Sequence, residues 1–124
     1  MGHSDVQLEK LEEIVQQSIL YDFYGELLSE HKRQIFEDYV LNDLSLSEIA
    51  EVQGISRQGV HDLVRRCTQE LKEYEEKLSL VRKFQSIKDK VNQIKLIVSD
   101  TENTGDLSNI SSITVLADDI LKEL

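Results

Sequence analysis

The 124-residue chain contains no proline and no tryptophan, and it has only five glycines and one cysteine. This scarcity of turn-forming residues disfavours an all-β domain and favours long helices, so we expect an all-α fold. The lone Cys67 can form no internal disulfide, which is typical of a reduced, cytoplasmic protein. No apolar run approaches the roughly 18 residues of a membrane-spanning helix, and no membrane partner is expected.

Acidic residues outnumber basic ones, with 24 Asp and Glu against 14 Lys and Arg, for a net charge of −10. Nucleic-acid-binding proteins are usually basic overall. Any such binding must therefore use a local patch. Residues 53–67 form the first candidate, with a net charge of +2 from Arg57, Arg65 and Arg66 against Asp62.

Apolar residues recur at steps of three and four along most of the chain, which predicts amphipathic helices in one domain over 1–124. Its predicted parts are support helices over 5–43, a helix-turn-helix over 44–70, and a long helix with a C-terminal helical arm over 71–124. The first helix is expected over about 5–28, with room for a bend at Gly25. The apolar seam from Leu71 to Val98 predicts one long helix or two helices broken near Ser79, followed by a polar linker over 99–105.

The clearest local signal is a pair of helix starts separated by a glycine. Ser45 and Glu48 have the spacing of a capping box, in which each side chain binds the other residue's backbone N–H. Gly54 can adopt the positive φ that ends a helix, and Ser56 can cap the next one. Together with the small Ala50, this order predicts a helix-turn-helix unit.

The second helix of this unit has a predicted inward and outward face. Winding it at about 100° per residue turns four side chains inward, namely Val60, Leu63, Val64 and Cys67. The outward face is predicted to enter the major groove of DNA, and the predicted DNA-binding residues are Arg57, Gln58, His61, Arg65 and Arg66. Glutamine pairs bidentately with adenine and arginine with guanine, whereas Arg57 and Arg66 are placed to reach phosphates.

Asp62 complicates this interpretation. It lies three and four residues before Arg65 and Arg66, a spacing at which ion pairs form on a helix and would neutralise part of the basic face. Even about three phosphate contacts would give a salt slope of only about −2.7. Two hypotheses therefore stay open: contact with double-stranded DNA, or an acidic protein-interaction adaptor that keeps the helix-turn-helix fold without binding DNA.

Residues 28–78 also carry a family resemblance. The motifs are Asp43–Leu46 with Glu48–Ala50, then Ser56–Gln58, and finally Tyr74–Leu78. They resemble the small YlxM-like helix-turn-helix proteins of Gram-positive bacteria, whose core is similar to the promoter-reading region 4 of sigma factors. The resemblance implies an all-helical fold, a DNA-binding or regulatory role, and a link to the signal recognition particle pathway. The expected partners are DNA or, for the adaptor, components of that particle or RNA polymerase.

The remaining residues point to packing rather than chemistry. Cys67 is expected to be a small buried hydrophobe, and Tyr21, Phe23 and Tyr24 are expected to make core or helix–helix contacts. Histidines and carboxylates show no ligand spacing or catalytic pairing, so no enzyme activity, metal or cofactor is expected. The seam from Leu71 to Val98 leaves two alternatives open: packing within one chain, or a homodimer interface.

Overall fold

The computed structural model describes the backbone of residues 3–124 and the side chains of residues 7–124. This part of the chain contains helices and no strands, so the all-α prediction is confirmed. The helices are α1 (His3–Tyr24), a 3-10 turn (Gly25–Leu27), α2 (Glu30–Val40), α3 (Leu46–Gln53), α4 (Arg57–Leu78), α5 (Leu80–Thr104) and α6 (Ile110–Glu123). They form two compact units, an N-terminal unit that ends at Ser79 and a C-terminal hairpin, Leu80–Leu124. The prediction of a single domain over 1–124 stays a prediction.

The first helix is shorter than the sequence suggested. It ends at Tyr24, and the chain continues through the 3-10 turn instead of bending within one helix to residue 28. Gly25 is required there, because a Cβ at this position would lie 2.6 Å from the ring of Tyr21. The aromatic ring therefore packs directly on the backbone where the helix ends.

The N-terminal unit has a well-packed interior. Its buried side chains come from all four helices and the turn before α2, and they include Tyr24, Leu28, Ile35, Phe36, Ile49, Val60 and Leu71. The aromatic residues make the expected packing contacts, with ring centroids 5.8 Å apart for Tyr21 and Phe36 and 6.0 Å apart for Tyr24 and Tyr74. Cys67 is buried as expected, and its burial raises the pKa of the thiol to about 11.

Two hydrogen bonds show that α1 and α4 run side by side in the same direction. Gln17 Nε2 donates to Thr68 Oγ1 over 2.9 Å, and Tyr24 OH donates to Glu75 Oε1 over 2.5 Å. On both helices the second residue follows the first by seven positions, which is about two helical turns. The two helices therefore keep one register along this stretch.

The C-terminal hairpin consists of α5 and α6. Ser86 Oγ donates to Glu123 Oε1 over 2.7 Å, and Lys90 Nζ lies 2.9 Å from the same oxygen. The end of α6 thus lies beside the first half of α5, so the two helices are antiparallel. No helix in the described part of the chain is both long and apolar enough to cross a bilayer.

The two ends of α5 show where the apolar seam is interrupted and where the predicted linker over 99–105 is wrong. The seam from Leu71 to Val98 is divided between two helices, because Ser79 adopts a left-handed conformation with φ 54°. The predicted linker over 99–105 is wrong, since α5 continues to Thr104. Its end coincides with Gly105, whose φ is 69° and whose N–H donates to Thr101 O, so glycine and not Ser99 stops the helix.

Candidate nucleic-acid interface

Local side-chain chemistry builds the helix-turn-helix as the sequence predicts. Ser45 Oγ accepts from the Glu48 N–H and Glu48 Oε1 accepts from the Ser45 N–H, each over 3.1 Å, which completes the capping box of α3. Gly54 has φ 68° and ends α3 in the left-handed region. Ser56 Oγ then accepts from the Gly59 N–H over 2.9 Å and caps α4. Both predicted helix starts are confirmed.

The predicted faces of α4 are also present. Val60, Val64 and Cys67 are buried in the N-terminal unit, whereas Leu63 is only partly buried. The five predicted DNA-binding side chains are all exposed: Arg57, Gln58, His61, Arg65 and Arg66. The first half of α4 thus presents a polar row to solvent while its opposite side anchors it in the core.

A cleft of about 520 Å³ opens beside this row. Gln17 and Thr68, which share a buried hydrogen bond, both line the cleft. From this pair towards the start of both helices, the lining includes Lys10 and Glu13 on α1 and His61 on α4. The parallel register places Lys10 level with His61, since each lies seven residues before its partner in the Gln17–Thr68 hydrogen bond.

The fold concentrates positive charge in this cleft. Four cationic side chains line it, namely Lys10, Arg57, Arg65 and Lys72, against the single carboxylate of Glu13. Sequence reasoning missed Lys10 and Lys72. Lys72 could have been found, because it follows Arg65 by two helical turns on the same face. Lys10 could not, because its position depends on how α1 packs against α4.

The five predicted residues are not equivalent in the structure. Arg57, Gln58, His61 and Arg65 line the cleft, whereas Arg66 does not. Arg66 is one residue beyond Arg65 and therefore points about 100° further around the helix. It is exposed on the neighbouring side of α4.

Asp62 makes different contacts from those predicted. Its Oδ1 accepts from Gln58 Nε2 over 3.0 Å and lies 3.8 Å from His61 Nδ1. The predicted ion pairs with Arg65 and Arg66 are wrong, because the carboxylate turns towards the start of the helix. Among the described side chains neither arginine is paired with a carboxylate, so both guanidinium groups remain available to a ligand.

The amide of Gln17 is held in one orientation. The Thr68 hydroxyl donates to Val64 O over 2.9 Å, so its oxygen can only accept from Gln17 Nε2. The side chain of Gln17 is 4% exposed, and its Oε1 has no hydrogen-bond donor among the described residues. This pair is thus a fixed polar contact in the wall of the cleft.

A capped helix, a left-handed glycine and a second capped helix with an exposed basic row define a helix-turn-helix protein. The family model described as "Putative helix-turn-helix protein, YlxM / p13 like" matches residues 11–110. The chain belongs to this family, UPF0122, and the family resemblance noted in the sequence is confirmed.

Individual relatives agree with this assignment. A UPF0122 protein of Caldanaerobacter subterraneus subsp. tengcongensis is 54% identical over 78 residues, which cover 63% of this chain and 67% of that protein. A UPF0122 protein of Thermoanaerobacter sp. strain X514 is 53% identical over a stretch of the same length and coverage. A UPF0122 protein of Bacillus cereus strain AH187 is 42% identical over 96 residues, which cover 77% of this chain and 87% of that protein.

Proposed function

We propose that this protein is a non-enzymatic regulator that acts in the cytoplasm and binds double-stranded DNA through the first half of α4. The observation that carries the proposal is the exposed row of Arg57, Gln58, His61 and Arg65, with the cationic cleft beside it. In helix-turn-helix proteins the N-terminal residues of the second helix contact base edges in the major groove. This row occupies that position on α4.

The contact between Gln58 and Asp62 supports base recognition. Adenine is recognised bidentately when a glutamine amide accepts from N6 and donates to N7. Asp62 engages one of the two N–H groups on Gln58 Nε2. The second N–H and the amide oxygen stay available, so Asp62 holds the amide without consuming the groups that read the base.

Under this proposal the basic side chains make two kinds of contact with DNA, to bases and to phosphates. Arg65, in the middle of the row, is placed to pair with guanine. Lys10, Arg57 and Lys72 border the row and bind backbone phosphates, while Arg66 reaches a phosphate on the neighbouring side of α4. About four phosphate contacts give a salt slope near −3.6, which corresponds to modest affinity.

The test is binding of the full chain to fluorescent duplex DNA of mixed sequence, measured by anisotropy from 50 to about 200 mM salt. We expect Lys72→Ala to weaken binding uniformly across sequences and to reduce the salt slope by about one. Arg65→Ala should weaken binding by about ten-fold and relax sequence preference. Lys77→Ala is the matched control, because Lys77 lies on the same helix beyond the cleft. No binding by the parent at 50 mM salt would eliminate the proposal.

A second candidate function is the acidic adaptor. It is favoured by two exposed aliphatic side chains at the helix-turn-helix turn, Val52, which is 71% exposed, and Ile55. Aliphatic groups at this position suit a protein surface better than a phosphate backbone. The candidate partners are basic surfaces of signal recognition particle components or of RNA polymerase. This function would be favoured if the parent binds one of these purified assemblies but not DNA, and if Val52→Lys abolishes the binding.

A further inference from the structure

The C-terminal hairpin has almost no interior of its own. Within Leu80–Leu124, Val81 is the only buried side chain. Units far below about 70 residues rarely gain enough stability from a single core and commonly rely on oligomerisation or other cross-links. Two helices bury only the narrow strip along their contact. Further apolar contact is therefore expected to come from outside the hairpin.

The hairpin has an exposed aliphatic face, which we define as Val91 and Val98 on α5 and Ile110, Leu121 and Leu124 on α6. Each of these side chains is exposed, with Leu121 at 68%. Val91 and Val98 are two helical turns apart, and Ile110 and Leu121 are about three turns apart, so on each helix these residues lie on one side.

Helix geometry places both rows on the same side of the hairpin. On α5 the row lies about 40° clockwise, viewed from the start of the helix, from the residues packed on α6, such as Ile87 and Ile94. On α6 the row lies about 60° clockwise from the residues packed on α5, such as Ile113 and Ile120. Because the helices are antiparallel, rotations in the same sense bring the two rows to one side.

We propose that the aliphatic face binds the same face of a second copy of this chain. Two such hairpins related by a two-fold axis parallel to the helices form a four-helix bundle, in which α5 of each copy packs on α6 of the other. A stable interface commonly buries on the order of 800 Å² per partner. The five exposed aliphatic side chains of the face, on two helices, would supply roughly several hundred square ångströms of apolar surface to that area.

One complementary pair of charges supports this occupant and this pairing. Lys88 and Lys95 border the row on α5 at its outer edge, and Asp118 borders the row on α6 at its outer edge; all three are exposed. The contacts of Glu123 with Ser86 and Lys90 place Asp118 level with Gln93, less than one turn from Lys95. A two-fold axis parallel to the helices keeps these levels and brings Lys95 beside Asp118 of the second copy. Pairing α5 with α5 would instead bring lysines together.

The first test is the mass of the full chain by light scattering after size exclusion. We expect about twice the 14.3 kDa of one chain at micromolar concentration. The double variant Val91→Glu, Val98→Glu should run as a monomer. Leu96→Glu is the matched control and should remain a dimer, because Leu96 is 70% exposed but lies on the opposite side of α5. A monomeric parent at about 100 μM, or a dimeric Val91→Glu, Val98→Glu variant, would overturn the proposal.

The second test reverses the charges of Lys95 and Asp118, which lie at the edge of the aliphatic face, and leaves its aliphatic side chains unchanged. Lys95→Glu should weaken dimerisation by about ten-fold, and adding Asp118→Lys should restore it. If the double reversal is no tighter than Lys95→Glu alone, the proposed pairing of α5 with α6 is overturned. Circular dichroism of each variant reports whether helix content is retained. The outcome is independent of DNA binding, because no residue of the α4 row is changed.

Discussion

The two units of this chain use their apolar residues in opposite ways. In the N-terminal unit four helices surround side chains such as Phe36 and Ile35, and the proposed DNA contacts lie in a polar row outside that core. In the C-terminal hairpin two helices leave aliphatic side chains such as Leu121 exposed, and these side chains form the proposed contact with a second copy. The difference shows that the same spacing of apolar residues makes a core where enough helices meet and leaves them exposed where they do not.

The largest expected effect is a loss of stability on truncating a buried side chain of the N-terminal unit. Phe36→Ala should lower the free energy of unfolding by about 3–5 kcal/mol, because Phe36 is fully buried and its removal leaves a cavity. Leu96→Ala, in the hairpin, should change it by no more than about 0.5 kcal/mol. Urea unfolding followed by circular dichroism measures both, because this signal comes from the helices of both units. Tyrosine fluorescence reports the N-terminal unit alone, which contains all four tyrosines: Tyr21, Tyr24, Tyr39 and Tyr74. Similar losses in the two variants would remove the distinction between the units.

The next effect depends on pH and concerns Cys67. Burial raises the pKa of its thiol from 9.0 to about 11, so the folded chain keeps a proton that the unfolded chain loses. The associated stability is complete below pH 9 and is lost as pH rises towards 11, amounting to about 2 kcal/mol. Urea unfolding followed by circular dichroism should show this loss in the parent. Cys67→Ala should reduce this loss, most clearly between pH 9 and 10, because above pH 10 Tyr21, whose pKa is also raised, contributes to it. An unchanged profile would contradict the burial of the thiol.

A smaller effect is expected at the turn between α3 and α4. Gly54→Ala should lower the free energy of unfolding by about 1–2 kcal/mol, because φ 68° is strained for a residue with a Cβ. Nothing lies within 4 Å of the added Cβ, so the loss comes from the backbone and not from a clash. Ser47→Ala, at an exposed position inside α3, is the control and should be nearly neutral. Equal stability of the parent and Gly54→Ala would contradict the left-handed turn.

The smallest effect concerns the hairpin. If its aliphatic face is covered by a second copy, the midpoint of its thermal unfolding should rise by a few degrees when protein concentration increases ten-fold. Circular dichroism reports helices of both units, whereas tyrosine fluorescence reports the N-terminal unit. The concentration dependence should therefore be present in the dichroism signal and be absent for Val91→Glu, Val98→Glu. A midpoint independent of concentration in the parent would contradict the shared face.

The features that were predicted from sequence depend on neighbouring residues. Ser45, Glu48, Gly54 and Ser56 determine the ends of α3 and the start of α4 through contacts within three or four positions, and the structure reproduces them. The inward face of α4 follows from helix geometry alone. These local rules were sufficient to predict the helix-turn-helix and the exposed row.

The features that the sequence did not reveal depend on tertiary packing, or on which of several possible neighbours a side chain contacts. Lys10 reaches the cleft because the hydrogen bond between Gln17 and Thr68 aligns α1 with α4, a pairing across 51 residues that no local pattern encodes. Asp62 had candidate partners on both sides and binds Gln58 instead of the arginines. Both residues alter the predicted charge of the site, which is why the sequence understated its basic character.

The most direct test of the central claim is an NMR titration of the full chain with duplex DNA at low salt. We expect the backbone amides of residues 57–65 to shift strongly and the signals of Lys10 and Lys72 to shift with them, while the aliphatic face of the hairpin is unaffected. Shifts confined to the hairpin, or no shifts at a DNA concentration of about 100 μM, would contradict the assignment of α4 as the DNA-binding helix.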